Sequence, residues 1–185
     1  TEQDAAAVNF AKRVTVDYVK DRYEGNTIIS GPPGVGKSHL AVGIAKTLNE
    51  SFQMLQVRKS VVYMPAMELF SRIQEAFQYK DSKWEQRSVV KFLQNVDFLI
   101  LDDLGKESSV GNEIRQGNNW MQKVLYQILE NRTNTIITTN FEGKHLKELY
   151  EQSLVDRITK GNMKTNAFKF SKDTASRRSL SASDY

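Results

Sequence analysis

Thr27-Ile28-Ile29-Ser30-Gly31-Pro32-Pro33-Gly34-Val35-Gly36-Lys37-Ser38 is the stretch on which the reading of this chain turns. The apolar run Thr27 to Ser30 passes into a segment of the form G-x-x-x-x-G-K-[ST]. An amphipathic stretch with Leu40, Ile44 and Leu48 on one face follows it. Strand, glycine-rich turn and helix start gather several backbone N–H groups and the positive end of a helix dipole around one point, as a polyphosphate requires. On this reading Gly31, Pro32, Pro33, Gly34, Val35 and Gly36 cradle the phosphates of ATP, and Lys37 reaches the β and γ phosphates. Ser38 supplies a hydroxyl to Mg²⁺, whose other ligands are mostly water and phosphate oxygens. His39 closes the nucleotide-binding segment; a histidine at a helix N-terminus more often packs or caps, and no catalytic role is assigned to it.

A second constellation lies downstream. Val96-Asp97-Phe98-Leu99-Ile100-Leu101 reads as the clearest buried strand in the chain, and it ends in Asp102 and Asp103. Open α/β sheets bind ligands at the C-terminal ends of their strands. Asp102 is therefore the candidate for coordinating Mg²⁺ through water, and Asp103 for orienting or deprotonating the attacking water. The β-branched run Thr135 to Thr139 is another central strand and ends in Asn140, whose amide could hydrogen-bond the γ phosphate or the lytic water. Arg157, in Leu154-Val155-Asp156-Arg157-Ile158, has a helical setting and is either an ordinary surface residue or one that reaches a neighbouring subunit's site.

Around these segments, strands alternate with helices. A helix over residues 3 to about 22 carries Ala7, Phe10, Val14 and Tyr18 on one face. Ser60 to Met64 reads as a strand stopped by Pro65, followed by a helix with Leu69, Ile73, Ala76 and Phe77, and then by a helix from about Lys83 to Asn95. Gly105 to Asn118, with three glycines, reads as a loop or insertion; Trp120 to Leu129 is a helix. Two short helices, about 143–150 and 151–160, and a last strand near Ala167 to Phe170 complete the pattern, leaving a serine-rich tail over 171–185. This alternation predicts a three-layer α/β domain with a mostly parallel sheet.

The 185 residues suit one domain, and 39% hydrophobic with 26% charged residues reads as soluble and globular. No run approaches the ~20 apolar residues of a membrane span and no secretory pattern opens the chain, so a cytoplasmic setting is expected. With no cysteine, disulfides and cysteine-ligated zinc are excluded. The net charge of +4 is uneven: seven basic residues against one acid, Asp173, fall between Arg157 and Arg178, a balance that suits nucleic acid or phosphate and equally a solvated basic face. The chain starts at Thr1 rather than Met, so an N-terminal partner-binding region outside it is expected.

Taken together, the segments GPPGVGKS, FLILDD, ITTN and VDRI resemble the Walker A, Walker B, sensor 1 and arginine-finger elements of an AAA+ ATPase. More narrowly, NTIISGPPGVGKSHLA, NVDFLILDDLG and the DRI segment resemble bacterial and phage replicative-helicase loaders of the DnaC/DnaI type, with the IstB transposition ATPase similar in the same motifs; the likeness runs over about residues 8 to 180. The resemblance implies a P-loop AAA+ three-layer sandwich with a five-stranded parallel sheet, the sensor 1 strand between the Walker strands, and no C-terminal helical lid. It further implies an ATPase that uses Mg²⁺, assembles into a ring or spiral homo-oligomer, binds single-stranded DNA and partners a replicative DNA helicase, with Arg157 acting in trans. Where many AAA+ proteins have Glu this chain has Asp103, which implies slow hydrolysis suited to an ATP-gated switch. Arg177 or Arg178 would stand in for a sensor 2 arginine, and Lys106 and Arg115 would contact DNA phosphates. Three alternatives stay open: an IstB-like transposition regulator acting on duplex DNA, a P-loop small-molecule kinase, and a nucleotide-gated interaction module with negligible hydrolysis.

Overall fold

In the computed structural model, residues 2–79, 82–106, 109–110, 113–114, 118–171 and 174 are described. Five parallel strands form the central sheet: β1 (Thr27–Ser30), β2 (Val61–Pro65), β3 (Phe98–Leu104), β6 (Thr135–Thr139) and β7 (Ala167–Lys169), in the order β2-β3-β6-β1-β7. The phosphate-loop strand and the aspartate-bearing strand are thus each hydrogen-bonded to β6, which lies between them. That is the sheet the resemblance implied.

Alternation along the strands divides the core into two layers. Phe98 and Ile100 of β3, with Ile29 and Ile136, pack on α1 (Glu2–Val19) and α2 (Lys37–Met54). Leu99 and Leu101, with Ile28 and Ile137, face α3 (Ala66–Ala76), α4 (Gln86–Asn95), α5 (Asn119–Leu129), α6 (Gly143–Leu149) and α7 (Gln152–Ile158). Because consecutive strand residues point to opposite faces, a strand apolar at every position is a strand covered on both sides. Ile29, Leu99, Ile100, Leu101, Ile136 and Ile137 are all fully buried.

The helices follow their apolar spacing. α1 buries Ala7, Phe10, Val14 and Tyr18, and the Tyr18 ring meets Phe98 edge-on at 5.3 Å. Tyr18 Oη lies 2.9 Å from Gly25 O, to which it donates, and 2.8 Å from Thr27 Oγ1. α1 is thereby fastened to the beginning of β1.

Several boundaries differ from the sequence reading. β3 does not stop at Leu101 but continues through Asp102 and Asp103 to Leu104, with a break in its pairing to β6 between Leu101 and Leu104. The fourth helix starts at Gln86 rather than Lys83, because the Glu85 carboxylate caps it by accepting from the N–H groups of Arg87 and Ser88. Pro65 closes β2 and serves as the N-cap of α3. Within the stretch expected to be a loop, β4 (Ser109–Val110) and β5 (Glu113–Ile114) form a two-residue antiparallel pair. A one-turn helix, α8 (Met163–Asn166), precedes β7 and escaped the reading because four residues carry no periodicity. No helix among the described residues is long and apolar enough to cross a membrane.

Candidate nucleotide site and its relatives

The loop from Gly31 to Gly36 joins β1 to α2, and its backbone requires glycine where the motif has it. Gly34 has φ +84° and Gly36, the N-cap of α2, has φ +104°, a left-handed region costly for other residues. Gly31 is constrained twice: its φ is +148°, and a Cβ there would lie 2.6 Å from Phe170 Cβ. Lys37 opens α2 with its side chain buried, Nζ donating to Gly31 O at 2.9 Å and Pro32 O at 2.7 Å. The loop's own carbonyls hold the ammonium at the mouth of the cradle. Ser38 follows in the first turn, where the backbone N–H groups and the helix dipole favour negative charge.

Across β6 stand the two aspartates. Asp102 is 6% exposed, and each of its carboxylate oxygens accepts a hydroxyl: Thr138 Oγ1 donates to Oδ1 at 2.6 Å, and Tyr63 Oη donates to Oδ2 at 2.6 Å. Burial of the phenol end of Tyr63, and next the Asp102 carboxylate, push the tyrosine well above its ordinary value, so it remains a donor. Asp103 lies at the break in β3 with φ +58°, and its N–H donates to Thr138 Oγ1 at 2.8 Å. Its carboxylate is 3.6 Å from Lys106 Nζ. Lys106, expected to meet DNA, thus stands beside the carboxylate expected to handle water. Neither Tyr63 nor the Thr138 hydroxyl was singled out from sequence, since only the sheet order makes them neighbours of β3.

Asn140 follows β6 immediately, at the strand end between the phosphate loop and the aspartates. Its Oδ1 is buried and has no hydrogen-bond partner among the described residues, an acceptor costly to leave so. Thr139, just before it, donates from Oγ1 to Leu104 O at 2.7 Å, while its carbonyl accepts from Gly31 N at 3.3 Å. β6 therefore ties both motif strands together at the level of the site.

An apolar groove of about 500 Å³ opens beside the loop. Ala7, Val8 and Ala11 of α1 and Leu40 of α2 line it, with Phe170 at its base, and it reaches Gly36 and His39 at the loop end. A Cβ on Gly43 in its wall would touch nothing within 4 Å. The sequence carried no direct signal of the groove, which exists only because α1 packs on α2.

Arg157 is placed elsewhere. Its carbonyl accepts from Asn26 Nδ2 at 2.8 Å, and Asn26 directly precedes β1, so the end of α7 lies at the N-terminal end of the sheet while the phosphate loop lies at the C-terminal end. The four residues of β1 alone separate those ends by roughly 13 Å. Arg115, Arg177 and Arg178 lie outside the described residues.

The chemistry of the donor set fits Mg·ATP. Backbone donors and Lys37 would face phosphate, Ser38 would offer a hydroxyl, and Asp102, already holding two hydroxyls, keeps lone pairs that metal-bound water could use. Among the described residues no cluster of three or more His, Asp or Glu side chains could hold a metal by itself, so the phosphates would have to complete its shell.

Fold and site define an α/β P-loop domain of the AAA+ type. The chain belongs to the family of IstB-like ATP binding proteins, whose profile matches residues 1–164. Among solved structures it is similar to AMPPCP-bound DnaA from Aquifex aeolicus (20% identity, TM-score 0.64, 95% of this chain and 50% of that one). It is also similar to the DnaC helicase loader (25% identity, TM-score 0.57, 80% and 78% covered) and to DnaI (25% identity, TM-score 0.57, 92% and 85% covered). The chain spans about half the length of that DnaA, and at 20% identity the likeness speaks for the fold alone. No curated protein matches the chain.

Proposed function

We propose that this chain is the ATP-hydrolysing domain of a helicase loader, which assembles with other copies around Mg·ATP, grips single-stranded DNA and helps place a hexameric replicative helicase. The observation that carries this reading is the division of the nucleotide machinery between opposite ends of the sheet: Lys37, Asp102 and Asn140 at one end, and Arg157 at the other. An arginine so placed can serve only a nucleotide held by another copy, which makes hydrolysis a report on assembly. Likeness to DnaC and DnaI over most of both chains supports the loader assignment.

In the proposed reaction Lys37 binds the β and γ phosphates, and Ser38 and Asp102 are the residues that would hold Mg²⁺. The metal, when bound, offsets the charge on the transferred phosphoryl group. Asp103 and the Asn140 amide orient the attacking water, and the buried Oδ1 of Asn140, without a partner among the described residues, is an acceptor suited to one of its protons. The apolar groove between α1 and α2 takes the adenine base, stacked among alanines, Leu40 and Phe170.

ATP hydrolysis by the purified protein alone, with single-stranded DNA, with duplex DNA and with small phosphate acceptors tests the assignment. Stimulation by single-stranded DNA is the expected result. Stimulation by duplex DNA would favour a transposition regulator, the reading that the IstB-like family match keeps in view. Phosphorylation of an acceptor would make it a kinase. Lys37→Ala is expected to lower ATP affinity at least tenfold in a protein that still unfolds cooperatively, because the loop glycines remain; ATP-dependent activity retained in the folded variant would refute the site.

A further inference from the structure

Arg157 is not a free surface arginine. Its Nη2 donates to Tyr126 Oη at 2.9 Å, and its Cζ lies 4.9 Å from the centroid of the Tyr126 ring. Tyr126 belongs to α5, the helix on which α7 packs, and both residues are half-buried. Nε of Arg157 is buried and has no hydrogen-bond partner among the described residues. Beside the pair, an open groove of about 440 Å³ runs between α5 and α7, lined by Gln122, Lys123, Tyr126, Glu151 and Leu154.

An arginine side chain carries substantial rotamer entropy, which a group waiting for a transition state has to lose at the moment of reaction unless it has been lost already. Tyr126 removes that freedom with one ring face and one hydroxyl. It does so incompletely, because the guanidinium retains a buried N–H whose hydrogen bond is unmade, and such a donor favours a move onto an anionic acceptor. A misplacement of about 1 Å in a catalytic contact costs on the order of 100-fold in rate. We propose that Tyr126 is the positioning residue for Arg157, holding the guanidinium at the α5–α7 face for the ATP bound by a second copy of this chain. This rests on the reading of Arg157 as acting in trans.

Mixed assemblies separate the two claims. Lys37→Ala subunits cannot bind ATP productively but supply Arg157; Arg157→Ala subunits bind ATP but supply no arginine. If the arginine acts in trans, mixing the two inactive proteins restores hydrolysis. Tyr126→Ala placed on the Lys37→Ala subunit is expected to reduce that restored rate at least tenfold, whereas on the Arg157→Ala subunit it leaves the restored rate within twofold. Tyr126→Phe on the Lys37→Ala subunit, which keeps the ring and removes only the hydroxyl, is expected to give an intermediate loss of about three- to tenfold without changing the unfolding midpoint by more than about 2 °C. No restoration in the parent mixture would overturn the trans reading and this proposal with it. Restoration that ignores Tyr126→Ala on the arginine-supplying subunit would overturn the role of Tyr126 alone, and equal loss from either placement would make Tyr126 a packing residue.

Discussion

Thr138 joins the two acidic residues of the site through one hydroxyl, which donates to Asp102 Oδ1 and accepts from Asp103 N. Thr138→Val keeps the shape and the β-branched fit to the strand, but leaves the Asp103 N–H unpaired and Asp102 held by Tyr63 alone. An unmade buried hydrogen bond costs about 1–3 kcal/mol, so a lower denaturant midpoint with unchanged slope is expected. Loss of a partner that orients a metal-associated carboxylate typically costs 10- to 100-fold; titration of nucleotide binding against Mg²⁺ should show a higher requirement in the variant, and an unchanged one would exclude a Thr138 role in metal binding. From sequence, Thr138 was legible as a strand residue and nothing more. Its hydroxyl acquires a function from Asp102, 36 residues away, once β6 lies beside β3. Gly31 shows the same division: the motif demanded a glycine there, but the atom that forbids a side chain belongs to Phe170.

At the scale of elements, the ends of helices and strands away from the site are secured by polar side chains that carried no signal in the sequence. Arg132, 3% exposed, donates from Nη1 to Leu93 O and to Val96 O at 2.9 Å, satisfying carbonyls at the end of α4, and from Nε to Thr135 Oγ1 at 3.0 Å at the start of β6. Burial lowers its guanidinium to about 10, partly countered by Asp97, so it stays charged at neutral pH. Arg132→Met fills similar volume but strands those carbonyls, and a loss of about 3 kcal/mol in unfolding free energy is expected from denaturant titration. Asp97 joins β2 to β3: its carboxylate accepts from Ser60 N at 2.9 Å and Ser60 Oγ at 2.8 Å, and lies 3.1 Å from Lys59 Nζ. Partial burial acts to raise this carboxyl, but the Ser60 hydrogen bonds and Lys59 outweigh it and bring it below the ordinary 3.8. A carboxylate depressed in the folded state stabilises above its unfolded value and loses that contribution as pH falls through the folded one. The melting temperature of Asp97→Asn should therefore fall less steeply than that of the parent below about pH 4. Parallel curves would show the contact contributes nothing.

For the whole molecule, the decisive feature is that one buried amide fixes where the end of α7 lies against the sheet. Asn26 donates from Nδ2 to the Arg157 and Ile158 carbonyls and accepts from Thr135 N, fixing the end of α7 to the N-terminal ends of β1 and β6. Arg157→Ala is expected to leave ATP affinity within about twofold while lowering the assembly-stimulated rate by about 10³-fold or more, within the range for an arginine supplied in trans; loss of affinity in dilute protein would place the arginine's action within its own subunit. The sequence by itself determined the glycine-rich loop, the strand that carries Asp102 and Asp103, the strand that leads into Asn140 and the α/β class, because each is local: a glycine spacing, an apolar run, a period of 3.6 or 2. Tertiary structure alone decided what those segments do to one another. Strand order put Thr138 and Tyr63 on Asp102, the packing of α1 on α2 opened the groove beside the loop, and the docking of α7 on α5 set Arg157 against Tyr126 at the far end of the sheet. Such contacts join residues distant along the chain, and no local period or motif encodes which distant partner a side chain will meet.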